Sequence, residues 1–270
     1  MAGMTDYIAA GVMTDPGEFK GLFDGLPASP AGVAEVVQGL MVHEFWADEY
    51  GLALTDEQKQ TVHLRKTSDL LAAIVAVDDR PLTEGREPAK RIATNCRGFS
   101  VMAVAMLRHA GVPARARCGF GAYFNGEKFE DHWVVEYQRD GQWQMLDAQL
   151  DKLQRDTLKI DFDTTAMPPG AFVIAGDGWR RCRAGTDDPD DYGLSPIQEG
   201  GWWWIAGNLM RDVAAVGNVE VLPWDVWGEM PKPDDEIDFA HFDAMAAGEV
   251  TVTVPDKVFN VLRQRLEPLR

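Results

Sequence analysis

Cys96 is placed where a sequence can make a thiol reactive. It directly precedes a segment that is apolar almost all round from Phe99 to Leu107, which predicts a buried helix starting near the cysteine. A helix N-terminus offers unpaired N–H groups and partial positive charge, and both favour thiolate over thiol. Arg97 adds a nearby cation. We therefore predict Cys96 as a nucleophile, the alternative being a buried structural cysteine.

A histidine and a carboxylate follow on a predicted β-hairpin. The segments HWVVEYQ and QWQMLDA are separated by Asp140-Gly141, a pair typical of two-residue turns. Such a turn places Val134 opposite Asp147, so that His132 and Asp147 become diagonal neighbours on one face, roughly 7–8 Å apart. There Asp147 could orient the imidazole of His132, which could serve as the base for the thiol.

Each of these assignments has an alternative. His132 could be a hydrogen-bonded, half-buried histidine, and Asp147 could be a strand-end or turn residue. Asp151 falls on the same predicted face, so a shifted register could make it the orienting carboxylate instead. Asp131 adjoins His132 but points to the opposite face, and we expect it to be solvated.

The motifs also resemble a known family. The segments TNCRGFSVMAVAMLRHAGVPARARCGFG, EDHWVVEY and GQWQMLDAQLD resemble the transglutaminase-like core. The shared features are a cysteine opening an apolar helix, an R-x-x-G-[IV]-P-A-R run, an H-x-x-x-E strand and a W-x-x-x-D strand. The resemblance implies a papain-like α+β core with Cys96, His132 and Asp147 as its machinery. That family contains transglutaminases, amidases and peptidases, and also relatives that lost the nucleophile and serve as binding modules.

The elements that would position these residues form one predicted domain, 1–270, of the α+β class. Residues 1–90 are predicted to be helical, with one helix over PAGVAEVVQGLMVHEFWADEYG and a second starting near Thr55 and running on through LLAAIVAV. Residues 91–151 form the catalytic core, a buried helix packed on an antiparallel sheet. Residues 152–270 are a Trp-rich region with a helix over GWWWIAGNLMRDVAAV and short helices near 236–247 and 256–266.

Composition excludes several classes of function. The net charge of −17 opposes binding to nucleic acid or to anionic membrane surfaces. No apolar segment is long enough to span a bilayer, and the first residues lack the features of a secretory signal. Three cysteines without metal-ligand spacing predict neither a disulfide framework nor a metal site, so we expect a cytoplasmic protein without cofactor. His43-Glu44 with His63 lacks the zinc-protease motif.

Five further residues are candidates for substrate binding: Arg97, Arg115, Arg117, Trp133 and Trp203. The arginines could hold a substrate carboxylate, although structural ion pairs are the alternative in an acidic protein. The tryptophans of the C-terminal region could line a cleft or fill a core. Cys118 and Cys182 are expected to be bystanders.

The predicted function is attack of a thiolate on an amide or ester carbonyl of a small molecule or peptide, leading to hydrolysis or acyl transfer to an amine. The alternative is a non-catalytic binding module that retains the fold. The sequence indicates neither the substrate nor the oligomeric state.

Overall fold

The computed structural model describes residues 7–126 and 128–269, and its mixture of helices and sheets confirms the predicted α+β class. Residues 1–6 of the predicted helical N-terminal region lie outside the described residues. The α-helices are α1 (Pro30–Leu40), α2 (Asp56–Gln60), α3 (Thr67–Val77), α4 (Cys96–His109), α5 (Lys152–Leu158), α6 (Ala175–Arg183), α7 (Trp202–Val216) and α8 (Phe239–Ala246).

The strands are short apart from β3 and β4. They are β1 (Met41–His43), β2 (Ile92–Thr94), β3 (Ala114–Gly121), β4 (Phe129–Arg139), β5 (Gln142–Leu146), β6 (Phe172–Ile174), β7 (Tyr192–Leu194), β8 (Glu199–Gly200), β9 (Asp225–Val226), β10 (Lys257–Asn260) and β11 (Arg265–Pro268). Short 3-10 helices occupy Gly17–Phe23, Glu44–Tyr50, Thr61–His63, Pro88–Lys90, Pro189–Asp191 and Ser195–Ile197.

The described residues divide into two compact units. The first contains the described part of Met1–Ala116 with Val134–Thr157 and Asp161–Met167. The second contains Arg117–Trp133, Leu158–Ile160 and the described part of Pro168–Arg270. The divisions fall inside β3 and β4, so each of these strands contributes residues to both units.

In the first unit, α4 packs against α1 and α3, and β1 pairs in parallel with β2. Every residue of α4 from Cys96 to Arg108 is buried, which confirms the predicted buried helix. The helix begins at an Asn95 cap and ends at Gly111, whose φ is +78°. Bonds from Gly111 N–H to Arg108 C=O and from Val112 N–H to Leu107 C=O close its last turn.

The hairpin in the first unit has the predicted register, because Arg139 pairs with Gln142 across the Asp140-Gly141 turn. Both turn residues have positive φ, as a type I′ turn requires. The ladder ends where Val135 pairs with Leu146, so the predicted pairing of Val134 with Asp147 is absent from it.

In the second unit the strand order is β6-β3-β4-β7-β8. The start of β4 pairs in parallel with β7, which makes the sheet mixed where a wholly antiparallel one was predicted. Helices α6, α7 and α8 pack on one another, and β9, β10 and β11 form a separate antiparallel sheet.

Three helix predictions differ from the structure. The helix predicted from Thr55 through LLAAIVAV is divided into α2 and α3. The first predicted helix stops at Leu40, where Met41 becomes extended and β1 pairs with β2. The segment predicted as a helix near 256–266 is the hairpin of β10 and β11. The helices predicted over 202–217 and near 236–247 are confirmed as α7 and α8. The described helices include none long and apolar enough to cross a membrane.

Candidate active site

Cys96 is the first residue of α4 in the first unit and is 7% exposed. Asn95 caps the helix, because its Oδ1 accepts from the N–H of Gly98 at 3.2 Å. The Asn95 amide also donates to the carbonyl of Val62 at 3.0 Å, which fixes the cap. Ser100 Oγ donates to the Cys96 carbonyl at 3.2 Å. The thiol thus sits at a rigid helix N-terminus, the environment that favours thiolate.

The approach of β2 to α4 requires a glycine at position 98. A Cβ at Gly98 would lie 2.0 Å from Oγ1 of Thr94, so any side chain there would displace the strand or the helix. Thr94 in turn pairs with His43 of β1. The end of β1 therefore lies beside the strand that leads into Cys96.

Glu44 follows His43 at this strand end, and its sequence pattern predicts no role for it. The Glu44 carboxylate is half-buried and makes neither a hydrogen bond nor an ion pair with any other residue that the structure describes. Burial raises the pKa of Glu44 to about 7. The parallel pairing of β1 with β2, which joins residues far apart in the sequence such as His43 and Thr94, reveals this placement.

Asp147 and Asp151, both in the first unit, differ in their contacts. Asp147 is 1% exposed, and its Oδ1 accepts from the N–H of Gln149 at 2.9 Å. The N–H of Asp147 donates to the carbonyl of Thr164 at 2.8 Å, which replaces the predicted ladder partner. Asp151 accepts from the hydroxyl of Tyr50 at 2.7 Å and caps α5.

His132 belongs to the second unit and is 2% exposed. Its ring lies edge-on to Phe124, with 4.9 Å between ring centroids, and to Tyr123 at 6.1 Å. Both aromatic rings come from the segment that follows β3. They cover the imidazole on this side.

Asp131 is buried, so the prediction that it would be solvated is wrong. Its Oδ2 accepts from Nε1 of Trp204 at 2.7 Å and from Nδ2 of Asn208 at 2.9 Å. Burial raises the pKa of Asp131, whereas the Arg211 guanidinium, these two bonds and the neighbouring His132 oppose that rise. The alternation of side chains along β4 predicted its face correctly, but not that α7 covers that face.

The three arginines proposed for substrate binding have partners within the chain. Arg97 is completely buried and donates to the carbonyl of Arg65, which argues against contact with a substrate. Arg115 donates to Glu136 at 2.7 Å in the first unit. Arg117 forms a two-bond pair with Asp212 in the second, at 2.9 and 2.7 Å. These contacts favour the alternative of structural ion pairs.

The two tryptophans proposed for substrate binding differ in exposure, and both belong to the second unit. Trp133 is 1% exposed, which argues against a contact with substrate. Trp203 is partly exposed and lies edge-on to Trp204. Trp202 packs against Trp179 and Phe239, so part of the Trp-rich region fills a core. Trp203 stays a candidate.

None of the three cysteines, all of them in the described part of the chain, forms a disulfide, and all three are buried. Burial raises the pKa of the Cys182 thiol to about 12, which disfavours its thiolate. No group of His, Cys, Asp and Glu side chains within 7–126 and 128–269 is arranged to hold a metal ion. Of the predicted triad, Cys96 and Asp147 belong to the first unit and His132 to the second.

Comparison with protein families confirms the resemblance seen in the sequence. Residues 54–148 match the family model of the transglutaminase-like superfamily. The matched stretch, the transglutaminase-like segment, contains all three predicted triad residues.

Comparison with individual proteins finds one distant solved structure. One solved structure is described as "a Putative Cysteine Protease from Cytophaga hutchinsonii", with 15% identity and a TM-score of 0.27. The match covers 63% of this chain and 47% of that one, so this chain spans about half the length of that protein. No curated protein matches the chain.

Proposed function

We propose that the protein is an enzyme whose Cys96 thiolate attacks an amide or ester carbonyl of a small molecule or peptide and forms a thioester. His132 is the acid and base of this proposal, and Asp147 is the carboxylate that orients it. The observation that carries the proposal is the position of Cys96 as the first residue of a capped, buried helix inside the transglutaminase-like segment.

The proposed reaction has two steps. The thiolate adds to the carbonyl carbon, and the charge on the carbonyl oxygen is stabilised by a backbone N–H at the start of α4. The carbon–nitrogen or carbon–oxygen bond then breaks, while protonated His132 gives its proton to the leaving group. In the second step, neutral His132 takes a proton from water or an amine, which attacks the thioester carbonyl. The carbon–sulfur bond breaks and releases the Cys96 thiolate beside protonated His132, as at the start.

Hydrolysis and transfer share the same thioester, so the acceptor that reaches it determines the product. The proposal includes a cytoplasmic location, because a reducing compartment would keep the three cysteines, none of which forms a disulfide, as thiols.

The proposal is tested by trapping the thioester. The full chain is mixed with p-nitrophenyl acetate, and release of p-nitrophenol is followed beside peptide mass spectrometry. We expect a burst and an acetyl group on the peptide that contains Cys96, both absent from Cys96→Ala. His132→Ala should slow the burst by about 10²-fold or more.

Cys182→Ala is the matched control, since it also removes a buried free thiol, and it should retain the burst. Acetylation that is equal in wild type and His132→Ala would contradict the proposal. That result would favour the binding-module alternative, in which the Trp-rich region forms the partner surface.

A further inference from the structure

Three consecutive residues near the start of β4, Glu130 to His132, contact three different segments of the second unit. Glu130 accepts from the backbone N–H of Ser195 at 2.8 Å. Asp131 accepts from Trp204 and Asn208 of α7. His132 contacts the aromatic segment before β4. The two residues that directly precede His132 are therefore anchored by hydrogen bonds, and Asp131 alone accepts two of them.

The contacts of Asp131 are specific in geometry. Trp204 and Asn208 are four residues apart on α7, so their side chains lie one above the other on one helix face. Both donate to the same oxygen, Oδ2, at 2.7 and 2.9 Å. One turn further on, Arg211 donates to Oδ1 of Asn208 at 3.0 Å, which fixes the orientation of that amide. Asp131 thus accepts from two side chains on one face of α7, and one of them, Asn208, is itself oriented by Arg211.

Such an arrangement is costly for a residue that only fills space. A buried carboxylate is best compensated by a guanidinium with two parallel bonds, and α7 provides such a pair elsewhere, between Asp212 and Arg117. Asp131 instead has two neutral donors and no direct ion pair within the described residues. A neutral side chain would avoid the cost of burying this charge. Its location immediately before His132 suggests what the carboxylate does.

We propose that Asp131 is a positioning residue for His132, because its bonds to Trp204 and Asn208 hold the start of β4 so that the adjacent imidazole keeps one orientation. This inference rests on the proposed function, in which His132 is the acid and base. It predicts that breaking the bonds to α7 disturbs His132 even when the charge at position 131 is retained.

The test follows His132 directly, by NMR of the full chain labelled at histidine, with His132→Ala identifying its signals. Trp204→Phe removes the indole donor and keeps an aromatic ring and the Asp131 carboxylate. We expect the His132 ring signals to shift and to broaden or split in Trp204→Phe and in Asp131→Ala. Asp131→Asn keeps an acceptor oxygen and should restore a single set of signals. Alkylation of Cys96 should slow roughly tenfold in the first two variants.

Asp243→Ala is the matched control for Asp131→Ala, because it also removes a carboxylate that accepts from an indole. Asp243 lies on α8 of the same unit. It accepts at 2.8 Å from the indole Nε1 of Trp179, which lies on α6. Loss of this hydrogen bond should leave the His132 signals and the rate of Cys96 alkylation unchanged. If Asp131→Ala does not fold, Trp204→Phe alone carries the test.

Two results separate this inference from the proposed function. His132 signals that are identical in wild type and Trp204→Phe overturn the inference, whatever the reactivity of Cys96. Signals that change as expected while alkylation of Cys96 remains constant uphold the positioning of His132 and contradict its part in the proposed chemistry.

Discussion

Two carboxylates follow the β4–β5 hairpin, and their contacts within the first unit suit different tasks. Asp151 has its oxygens engaged by the Tyr50 hydroxyl and by the N–H of Gln154 at the start of α5. The Tyr50 hydrogen bond, together with burial, raises the pKa of that phenol. Asp147 is almost completely buried and belongs to the transglutaminase-like segment, whereas Asp151 lies beyond it. These observations favour Asp147 as the orienting carboxylate.

Asp147→Asn should therefore slow the formation of the acetyl-enzyme by about 10²-fold, because an amide cannot stabilise imidazolium. The burst of p-nitrophenol measures this rate. Asp151→Asn is the matched variant, and we expect it to keep the burst rate within about threefold. Asp151→Asn should instead lower the free energy of unfolding by about 1 kcal/mol in urea. Asn retains the cap of α5, but its NH2 group replaces the oxygen that accepts from the Tyr50 hydroxyl. A burst that is lost in Asp151→Asn and retained in Asp147→Asn would reverse the assignment.

The sequence predicted side-chain faces better than side-chain environments. The alternation along β4 correctly separates Asp131 from its neighbour, because the period of a strand is local. That Asp131 is buried depends on α7, whose residues lie more than 70 positions away. The same holds for Arg97, where a positive charge near the thiol was predicted. Its guanidinium is instead bonded to the carbonyl of Arg65.

Among the elements, those specified by local signals were predicted well. The start and end of α4 follow from Asn95 and Gly111, and the hairpin register follows from the Asp140-Gly141 turn. The capping box at Thr55 is also confirmed, although α2 ends at Gln60 and α3 starts anew. Elements that depend on distant partners were predicted wrongly. β1 needs β2, and β10 needs both β9 and β11.

The contact between α4 and β2 gives a prediction at the scale of elements. Gly98→Ala should destabilise the protein by about 1–3 kcal/mol, because the new Cβ would overlap the Thr94 side chain. Urea unfolding measures the change. The double variant with Thr94→Ala should lose less stability than the sum of the two single variants, since the clash is partly removed.

Gly176→Ala provides the control. This helical glycine of α6 has room for a Cβ, with its nearest neighbour at 3.5 Å. The substitution should be neutral or stabilising by up to about 1 kcal/mol, as helix propensity predicts. Equal destabilisation by both substitutions would contradict the close approach of β2 to α4.

For the whole molecule, no pattern in the sequence predicts that the described chain divides into two compact units inside β3 and β4. Composition shifts predict boundaries at loops, and neither strand contains one. The prediction of one domain, with regions at 1–90, 91–151 and 152–270, stays a prediction.

The stability of the whole molecule should depend on the protonation of Glu44. Its pKa is raised from 4.5 in an unfolded chain to about 7 by burial. The folded state then binds this proton more tightly than the unfolded state, so the stability it contributes is complete below about pH 4.5 and lost as pH rises through 7. Glu44→Gln should differ from wild type by less than about 1 kcal/mol at pH 5 and be more stable at pH 8, by up to about 3 kcal/mol.

Urea unfolding at the two pH values measures this difference. Glu35→Gln removes an exposed carboxylate from α1 and makes the same change in net charge. Glu35→Gln should raise the free energy of unfolding only slightly, by an amount that varies little with pH. A pH-independent difference between wild type and Glu44→Gln would show that the carboxyl is not perturbed by burial.

The proposed chemistry depends on an activated thiol at Cys96. Iodoacetamide alkylation of the full chain across pH measures this activation. Mass spectrometry of the three cysteine peptides separates Cys96 from Cys118 and Cys182. We expect alkylation at Cys96 with an apparent pKa well below the free-thiol value of about 8.5, and a shift or loss of this behaviour in His132→Ala. Slow alkylation with an apparent pKa near that of a free thiol, unchanged in His132→Ala, would contradict the catalytic role of both residues.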